Sequence, residues 1–315
     1  MVEFGLQIEP QFGFTYEQIR DLAHLCESVG FNSLWCSDHL FLDDHSEDKN
    51  CWDAWTVLAA LAVETTTLRL GTMVTCVSYR IPSVLAKTAA CVDVMSNGRL
   101  DMGIGAGWKE MEYEAYGIPF PSPKERVDRF EEALDIILKM WTEQKATVEG
   151  KYHQVKDAFC APKPTQKPYP PIWIGASKPR MLGITARHAD AVNIGGFPTP
   201  ETYKARLDDL RAACERIGRD FDSIKKSHFF GVVTASDNAG VERILQEMAG
   251  QSGRSVDEVR SRYRGAIGVP EEVAEVLKQY VDLGVEQFML VFPYGHEAES
   301  VKLLAERAMP SLNGY

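Results

Sequence analysis

The strongest constraint in this chain is a regular alternation of short apolar segments with longer helical ones. Eight segments rich in β-branched and aromatic residues are bounded by turn residues, and each is predicted to be a strand. Strands this apolar, each followed by a helix, need a parallel sheet that is covered on its outer face. The pattern predicts an α/β fold, specifically a (β/α)8 TIM barrel. The predicted strands are Val2–Ile8, Ser33–Ser37, Leu68–Thr75, Leu100–Gly105, Pro171–Ile174, Ala191–Ile194, His228–Thr234 and Gln287–Phe292.

The segments between the strands carry helix signals. Thr15 and Gln18 have the spacing of a capping box ahead of one apolar helix face, and Ser122 followed by proline marks another helix start. The residues around Gly30 and those around Gly284 share a pattern of helix end, glycine and buried strand. A recurring βα unit would leave such a repeat.

The length of 315 residues suits one barrel, because α/β barrels commonly reach ~250 residues or more. No Ser/Gly-rich linker divides the chain, so we expect a single domain over residues 1–315. An irregular region of roughly 112–170 separates strands four and five and contains a predicted helix, a hairpin near Gly150 and a proline-rich run. We interpret this region as an insertion in the barrel.

Charge and cysteine content exclude several function classes. The chain has 45 acidic and 34 basic residues, a net charge of −11, which disfavours binding to nucleic acid or to anionic membranes. The seven cysteines are scattered without a C-x-x-C pair, and no metal-binding motif is present. Neither a signal peptide nor an apolar run of ~20 residues is found. We therefore expect a cytoplasmic protein with no metal, nucleic-acid or membrane partner.

Active-site groups of a barrel follow the strands at their C-terminal ends. Asp38 and His39 stand directly after the second predicted strand. A histidine beside a carboxylate is a usable acid or base near neutral pH. The alternative is a surface or supporting histidine, but the position at a strand end favours a catalytic role.

Two other strand ends are rich in small residues. The fourth strand ends in Gly103-x-Gly105-x-Gly107, but Trp108 follows where a dinucleotide-binding fingerprint needs glycine. The fifth strand leads through Ser177 and Lys178 into a helix, with Arg180 close behind. A helix start with free amides and nearby cations can bind an anion, although Ser177 could simply cap the helix.

Several of these segments, in this order, resemble the luciferase-like monooxygenase superfamily, and most closely its oxidoreductases that use the deazaflavin coenzyme F420. The similarity covers nearly the whole chain. The blocks that carry it are Gly30–His39, Leu70–Thr75, Gly98–Trp108, Pro171–Ser177, Ala189–Asn193 and the closing segment that begins at Val269.

The resemblance implies a flavin or deazaflavin held at the C-terminal mouth of the barrel. His39 would be the proton donor or acceptor, and Asp38 would contact the cofactor and orient or charge-stabilise His39. A cis peptide bond between Met73 and Val74 would lie behind the deazaflavin ring, and a homodimer is expected. The implied cofactor-binding residues are Asp38, Thr72, Met73, Val74, Thr75, Ala106, Gly107, Gly175, Ala176, Ser177, Lys178 and Met181.

Two positions depart from patterns within the superfamily. Trp108 stands where the glucose-6-phosphate dehydrogenases carry a catalytic glutamate, which disfavours that sugar as the substrate. Ala106 stands near the place where bacterial luciferases carry an arginine for the flavin phosphate, which disfavours tight binding of reduced FMN.

The expected function is hydride transfer between coenzyme F420 and a small organic substrate, in a direction that the sequence leaves open. Lys178 and Arg180 would attract the phosphate and oligoglutamate of this cofactor. Trp52 and Trp108 are candidates for the substrate pocket, whereas Trp35 and Trp55 are expected in the core. The alternatives are an FMN-dependent monooxygenase, which uses reduced flavin and oxygen, and a non-catalytic barrel that binds deazaflavin.

Overall fold

A closed parallel barrel forms the centre of the molecule. The computed structural model describes residues 1–312, so the last three residues of the predicted domain lie outside it. Eight strands pair in parallel in the order β1, β2, β3, β5, β8, β9, β10 and β12, and β12 pairs with β1 to close the barrel. The predicted (β/α)8 fold is confirmed. The strands of the described residues are β1 (Glu3–Ile8), β2 (Ser33–Cys36), β3 (Arg69–Thr72), β4 (Thr75–Cys76), β5 (Leu100–Gly105), β6 (Ala146–Glu149), β7 (Gln154–Ala158), β8 (Ile172–Gly175), β9 (Ala191–Asn193), β10 (Lys225–Thr234), β11 (Gly265–Gly268) and β12 (Gln287–Val291).

Helices surround the barrel, and their ends follow from local sequence. The capping box at Thr15 forms as predicted: its hydroxyl accepts from the Gln18 amide, and the Gln18 side chain accepts from the Thr15 amide at 2.8 Å. The helices of residues 1–312 are α1 (Tyr16–Val29), α2 (Ala54–Glu64), α3 (Pro82–Met95), α4 (Glu110–Ala115), α5 (Pro123–Thr142), α6 (Pro179–His188), α7 (Pro200–Ile217), α8 (Asn238–Ser252), α9 (Val256–Arg262), α10 (Pro270–Val281), α11 (Glu297–Leu303) and α12 (Met309–Leu312).

The third predicted strand is interrupted. A cis peptide bond between Met73 and Val74 separates β3 from β4, at the position that the family resemblance implies. The structure also contains β11, which the sequence did not predict. This strand pairs only with β10, and it escaped prediction because two of its four residues are glycine and give no apolar signal.

The region expected to be an insertion contains two different parts. Helix α5 packs against α3, and the Trp141 indole donates to the Ala86 carbonyl at 2.9 Å, so α5 is part of the helical ring. The additional part includes the antiparallel hairpin β6–β7, which lies where the sequence predicts a hairpin. The range predicted for the insertion therefore contains one helix of the ring as well as the hairpin.

Large side chains fill the lower barrel interior. Trp35 and Trp173 meet edge to face with ring centroids 4.9 Å apart, and Met289 packs with them. A Cβ atom on Gly71 would lie 2.4 Å from the Trp35 ring, so only glycine fits there. Met73 and Phe229 pack against this cluster, which forms the floor beneath the barrel mouth.

No helix in the described part of the chain is long and apolar enough to cross a bilayer.

Candidate functional site

A cavity of about 630 Å³ lies at the C-terminal ends of the strands. Its size and mixed apolar and polar lining are typical of a small-molecule site. The residues that line it are Glu9, Ser37, Asp38, His39, Met73, Val74, Cys76, Tyr79, Gly105, Ala106, Gly107, Trp108, Lys109, Gly175, Ala176, Ser177, Lys178, Met181, Asn193, Gly195, Gly196, Phe197 and Phe229.

Most of the predicted site residues meet in this cavity, but Thr72 and Thr75 do not line it. Both are fully buried. The Thr72 hydroxyl donates to the Gly103 carbonyl at 2.7 Å, and the Thr75 hydroxyl donates to that of Thr72 at 2.8 Å. These side chains connect β3, β4 and β5 instead of facing a ligand.

His39 is held by a carboxylate from the region after β5. Its Nδ1 atom lies 3.0 Å from both carboxylate oxygens of Glu112, whose side chain is fully buried in α4. A carboxylate accepts hydrogen bonds, so Nδ1 carries the proton that faces it. No other group in residues 1–312 hydrogen-bonds His39 through Nε2, which leaves that atom available to a ligand in the cavity.

Glu112 is itself fixed by several donors. The Leu40 amide donates to it at 2.8 Å, the Tyr79 hydroxyl at 2.5 Å and the Lys109 ammonium at 3.3 Å. Burial favours the neutral acid, but the hydrogen bonds from His39 and Tyr79 outweigh it and lower the pKa of Glu112 to about 2. Glu112 is therefore an anion at neutral pH, and it holds the imidazole beside it through Nδ1.

The expected pairing of Asp38 with His39 is not found. Asp38 forms a bidentate ion pair with Arg80, with N–O distances of 2.6 and 2.9 Å, and it accepts from the Cys76 amide at 3.0 Å. Arg80 also contacts Asp53, the N-cap of α2. Asp38 therefore ties β2 to the segment after β4, while Glu112 takes the orienting role that was expected of Asp38.

The fourth strand end makes a sharp turn at the cavity. Gly107 has a φ of 78°, and a Cβ atom there would lie 1.9 Å from the Tyr113 hydroxyl. Glycine is required here because of the positive φ and because a side chain would clash with Tyr113. The turn places the Trp108 ring edge to face with His39, with centroids 5.8 Å apart, and leaves Trp108 71% exposed.

The start of α6 forms the opposite side of the cavity. Lys178 is the N-cap residue and α6 begins without a side-chain cap, so Ser177 does not cap it. Pro179, the first residue of α6, has no amide hydrogen, so the amides open to an anion are those of the next residues, Arg180 and Met181. Arg180, expected at the cofactor rim, instead contacts Asp128 and the Lys124 carbonyl and does not line the cavity. Lys178 lines the cavity and has no ion-pair partner among the described residues.

Trp108 lines the cavity, whereas Trp35, Trp52 and Trp55 do not. Trp35 and Trp55 are buried in the core, as expected. Trp52 instead donates to the Phe14 carbonyl at 2.8 Å.

The residues of the site that the sequence did not single out include Glu9, Tyr79, Lys109, Glu112, Phe197 and Phe229. Glu9 directly follows β1, so the strand-end rule could have found it. Glu112 gave no such signal, because it lies 73 residues from the histidine that it contacts.

Comparison with known proteins identifies the family. Residues 3–266 match the luciferase-like monooxygenase family. The chain belongs to this family. The match covers most of the barrel and confirms the resemblance found in the sequence.

Individual relatives agree with this assignment. An F420-dependent glucose-6-phosphate dehydrogenase from Microbacterium testaceum is 29% identical over 327 residues, covering 96% of this chain and 94% of its own length. The monooxygenase RslO1 from Streptomyces bottropensis superposes with a TM-score of 0.82 at 25% identity, covering 98% and 99% of the two chains. The F420-dependent tetrahydromethanopterin reductase from Methanopyrus kandleri has the same fold, with a TM-score of 0.80 at 20% identity and coverage of 98% and 99%.

Proposed function

We propose that this protein is an F420-dependent oxidoreductase in which His39 moves the proton that accompanies hydride transfer. The observation that carries the proposal is the His39–Glu112 pair, fixed at the mouth of the cavity at 3.0 Å. The F420 dependence of the relative from Microbacterium testaceum supports the choice of cofactor. One barrel domain carries the whole activity.

The cavity has the features that a deazaflavin needs. Its floor is apolar, since Met73 packs against the tryptophan cluster and Val74 lines the cavity next to it in the chain. The small residues Ala106 and Gly107 on one side, with Gly175–Ser177 on the other, allow a flat ring to approach the backbone. The open amides of α6 and the Lys178 ammonium suit the phosphate of the cofactor side chain.

When bound, F420 supplies a two-electron hydride donor or acceptor. The protein supplies the proton: Nε2 of His39 gives it to, or takes it from, the substrate oxygen. Glu112 holds the ring in one orientation through Nδ1 and stabilises the imidazolium that forms when Nε2 accepts a proton.

A titration of the purified protein with F420 and with FMN, followed by cofactor fluorescence, tests the proposal. We expect F420 to bind at least about tenfold more tightly than FMN, a difference of about 1.4 kcal/mol. Tighter binding of FMN, with oxygen-dependent turnover, would support the monooxygenase alternative. Tight binding of F420 without exchange of hydride with any alcohol, aldehyde or enone would instead indicate a carrier protein.

We also propose a homodimer that forms through α2 and α3. These neighbouring helices expose apolar side chains, including Val63 at 68% and Val84 at 57%. Exposed apolar side chains on neighbouring helices are a feature of protein interfaces. Sedimentation analysis should find a dimer that the double variant Val63→Glu/Val84→Glu converts to a folded monomer, while Ile217→Glu on α7 leaves it intact. A monomeric wild-type protein at micromolar concentration would contradict the proposal.

A further inference from the structure

The cations around the cavity differ in whether they are available to a ligand. The Lys109 ammonium has three donors, and it reaches the Phe41 carbonyl at 2.5 Å, the Leu42 carbonyl at 2.7 Å and Glu112 at 3.3 Å. All three donors of this ammonium are therefore used within the protein. Lys178, at the start of α6, is the unpaired lysine of the described cavity lining, and the proposed function assigns it to the cofactor phosphate.

A second acidic side chain lines the cavity beside His39. The Glu9 carboxylate accepts from the Gln7 amide group at 2.8 Å and from that of Gln11 at 2.5 Å. Both donors are neutral, and no lysine or arginine of residues 1–312 pairs with Glu9. Burial raises the pKa of Glu9 despite the hydrogen bond from Gln7. An anionic group placed here would meet a carboxyl group and no available cation.

Aromatic rings also line the cavity. Phe197 and Phe229 pack together with ring centroids 5.0 Å apart, and Trp108 stands exposed beside His39. An exposed apolar ring such as that of Trp108 costs free energy unless a ligand covers it. The three rings therefore offer apolar contact to a ligand in the cavity, and Trp108 offers it next to His39.

We propose that the substrate of this site carries no anionic group and places an apolar ring or alkyl chain against Trp108, Phe197 and Phe229. The inference rests on the proposed function, which assigns Lys178 to the cofactor. It predicts an uncharged ketone or alcohol, and it excludes sugar phosphates and carboxylates. The absence of a free lysine or arginine penalises an anion, and so does the Glu9 carboxyl group once it is ionised, because an unpaired charge costs several kcal/mol at a desolvated site.

Calorimetry with two ketones of the same shape tests this inference on the protein loaded with F420. Acetophenone is uncharged, and 4-acetylbenzoate adds a single carboxylate. We expect acetophenone to bind at least about tenfold more tightly than 4-acetylbenzoate. Glucose 6-phosphate should bind more weakly than acetophenone. Trp108→Ala should weaken acetophenone binding about three- to tenfold, because it removes an apolar contact.

Charge variants identify the cause of the discrimination. At a pH high enough to ionise Glu9, Glu9→Gln, which keeps the shape of the side chain, should strengthen 4-acetylbenzoate binding severalfold, whereas Glu17→Gln on the exposed face of α1 should not. The inference would be overturned if 4-acetylbenzoate or glucose 6-phosphate bound as tightly as acetophenone, or more tightly. It would also be overturned if no acetophenone bound at a concentration of about 10 mM. If the three ligands bind in the expected order but the protein does not oxidise reduced F420, the proposed function is wrong and the inference about the charge of the ligand is not.

Discussion

The two sides of the cavity are built in opposite ways. On the His39 side, which comprises His39, Tyr79, Lys109 and Glu112, the side chains hold one another through hydrogen bonds of 2.5 to 3.3 Å. On the α6 side, which comprises Gly175–Lys178, the first three side chains are small, and Lys178 has no ion-pair partner among the described residues. The His39 side fixes the position of the imidazole ring. The α6 side leaves space and unpaired hydrogen-bond donors for a ligand.

The difference separates chemistry from binding. A general acid or base must stand within hydrogen-bond reach of the reacting atom, so its orientation has to be fixed before the substrate arrives. A phosphate needs only available donors and positive charge. Variants on the His39 side should therefore change turnover, and variants on the α6 side should change cofactor affinity.

The largest expected effect is that of His39→Ala. Without the proton carrier, turnover should fall about 10²- to 10⁴-fold, which is the usual contribution of a positioned acid or base. The dissociation constant for F420, measured by fluorescence quenching, should change little. His45→Ala, in an exposed loop, is the matched control. Unchanged turnover of His39→Ala would rule out the proposed role.

Glu112→Gln should have the next largest effect. The variant keeps the size of the side chain but removes the charge that supports the imidazolium, so turnover should fall about 10- to 100-fold. Steady-state kinetics at saturating cofactor measure this, and F420 affinity should stay within about twofold of the wild type. If cofactor affinity fell by the same factor as turnover, the His39 side of the cavity would contribute to cofactor binding as well as to catalysis.

Lys178→Ala should change cofactor affinity and not turnover. Loss of one partly exposed charge-assisted contact should weaken F420 binding about three- to tenfold and leave turnover at saturating cofactor unchanged. The effect should shrink as salt concentration rises, because salt screens the contact. Lys204→Ala, which removes an exposed pair with Asp208 on α7, should leave F420 binding unchanged. Equal affinity in the Lys178 and Lys204 variants would remove Lys178 from the cofactor site.

The smallest effect concerns stability against acid. The folded-state pKa of Glu112 is about 2, below its ordinary value of 4.5, because His39 and Tyr79 donate to the buried carboxylate. A lowered carboxyl pKa adds stability above pH 4.5 that is lost as pH falls toward 2. Urea unfolding should therefore find the wild type more stable than Glu112→Gln at neutral pH, with the difference shrinking below pH 4.5. A difference independent of pH would show that the carboxylate is not stabilised in this way.

The sequence predicts the barrel well because buried parallel strands leave continuous apolar segments between turn residues. Chain position predicts that His39, three residues after β2, lies at the mouth of the barrel, and the family resemblance predicts most of the other lining residues. The pairing of His39 with Glu112 spans 73 residues, and that of Asp38 with Arg80 spans 42. Neither spacing leaves a local signal, so the sequence assigned the orienting role to the adjacent carboxylate, Asp38. Only the closed barrel brings Glu112 beneath the histidine.

Isotope transfer from reduced F420 tests hydride transfer most directly. F420 reduced with deuterium at C5 would be mixed without oxygen with the protein and acetophenone, and the product would be examined by mass spectrometry. The account predicts one deuterium on the alcohol carbon, formed at a rate that His39→Ala lowers without changing the position of the label. Oxidation of the cofactor that requires oxygen, or an alcohol without the label, would contradict it.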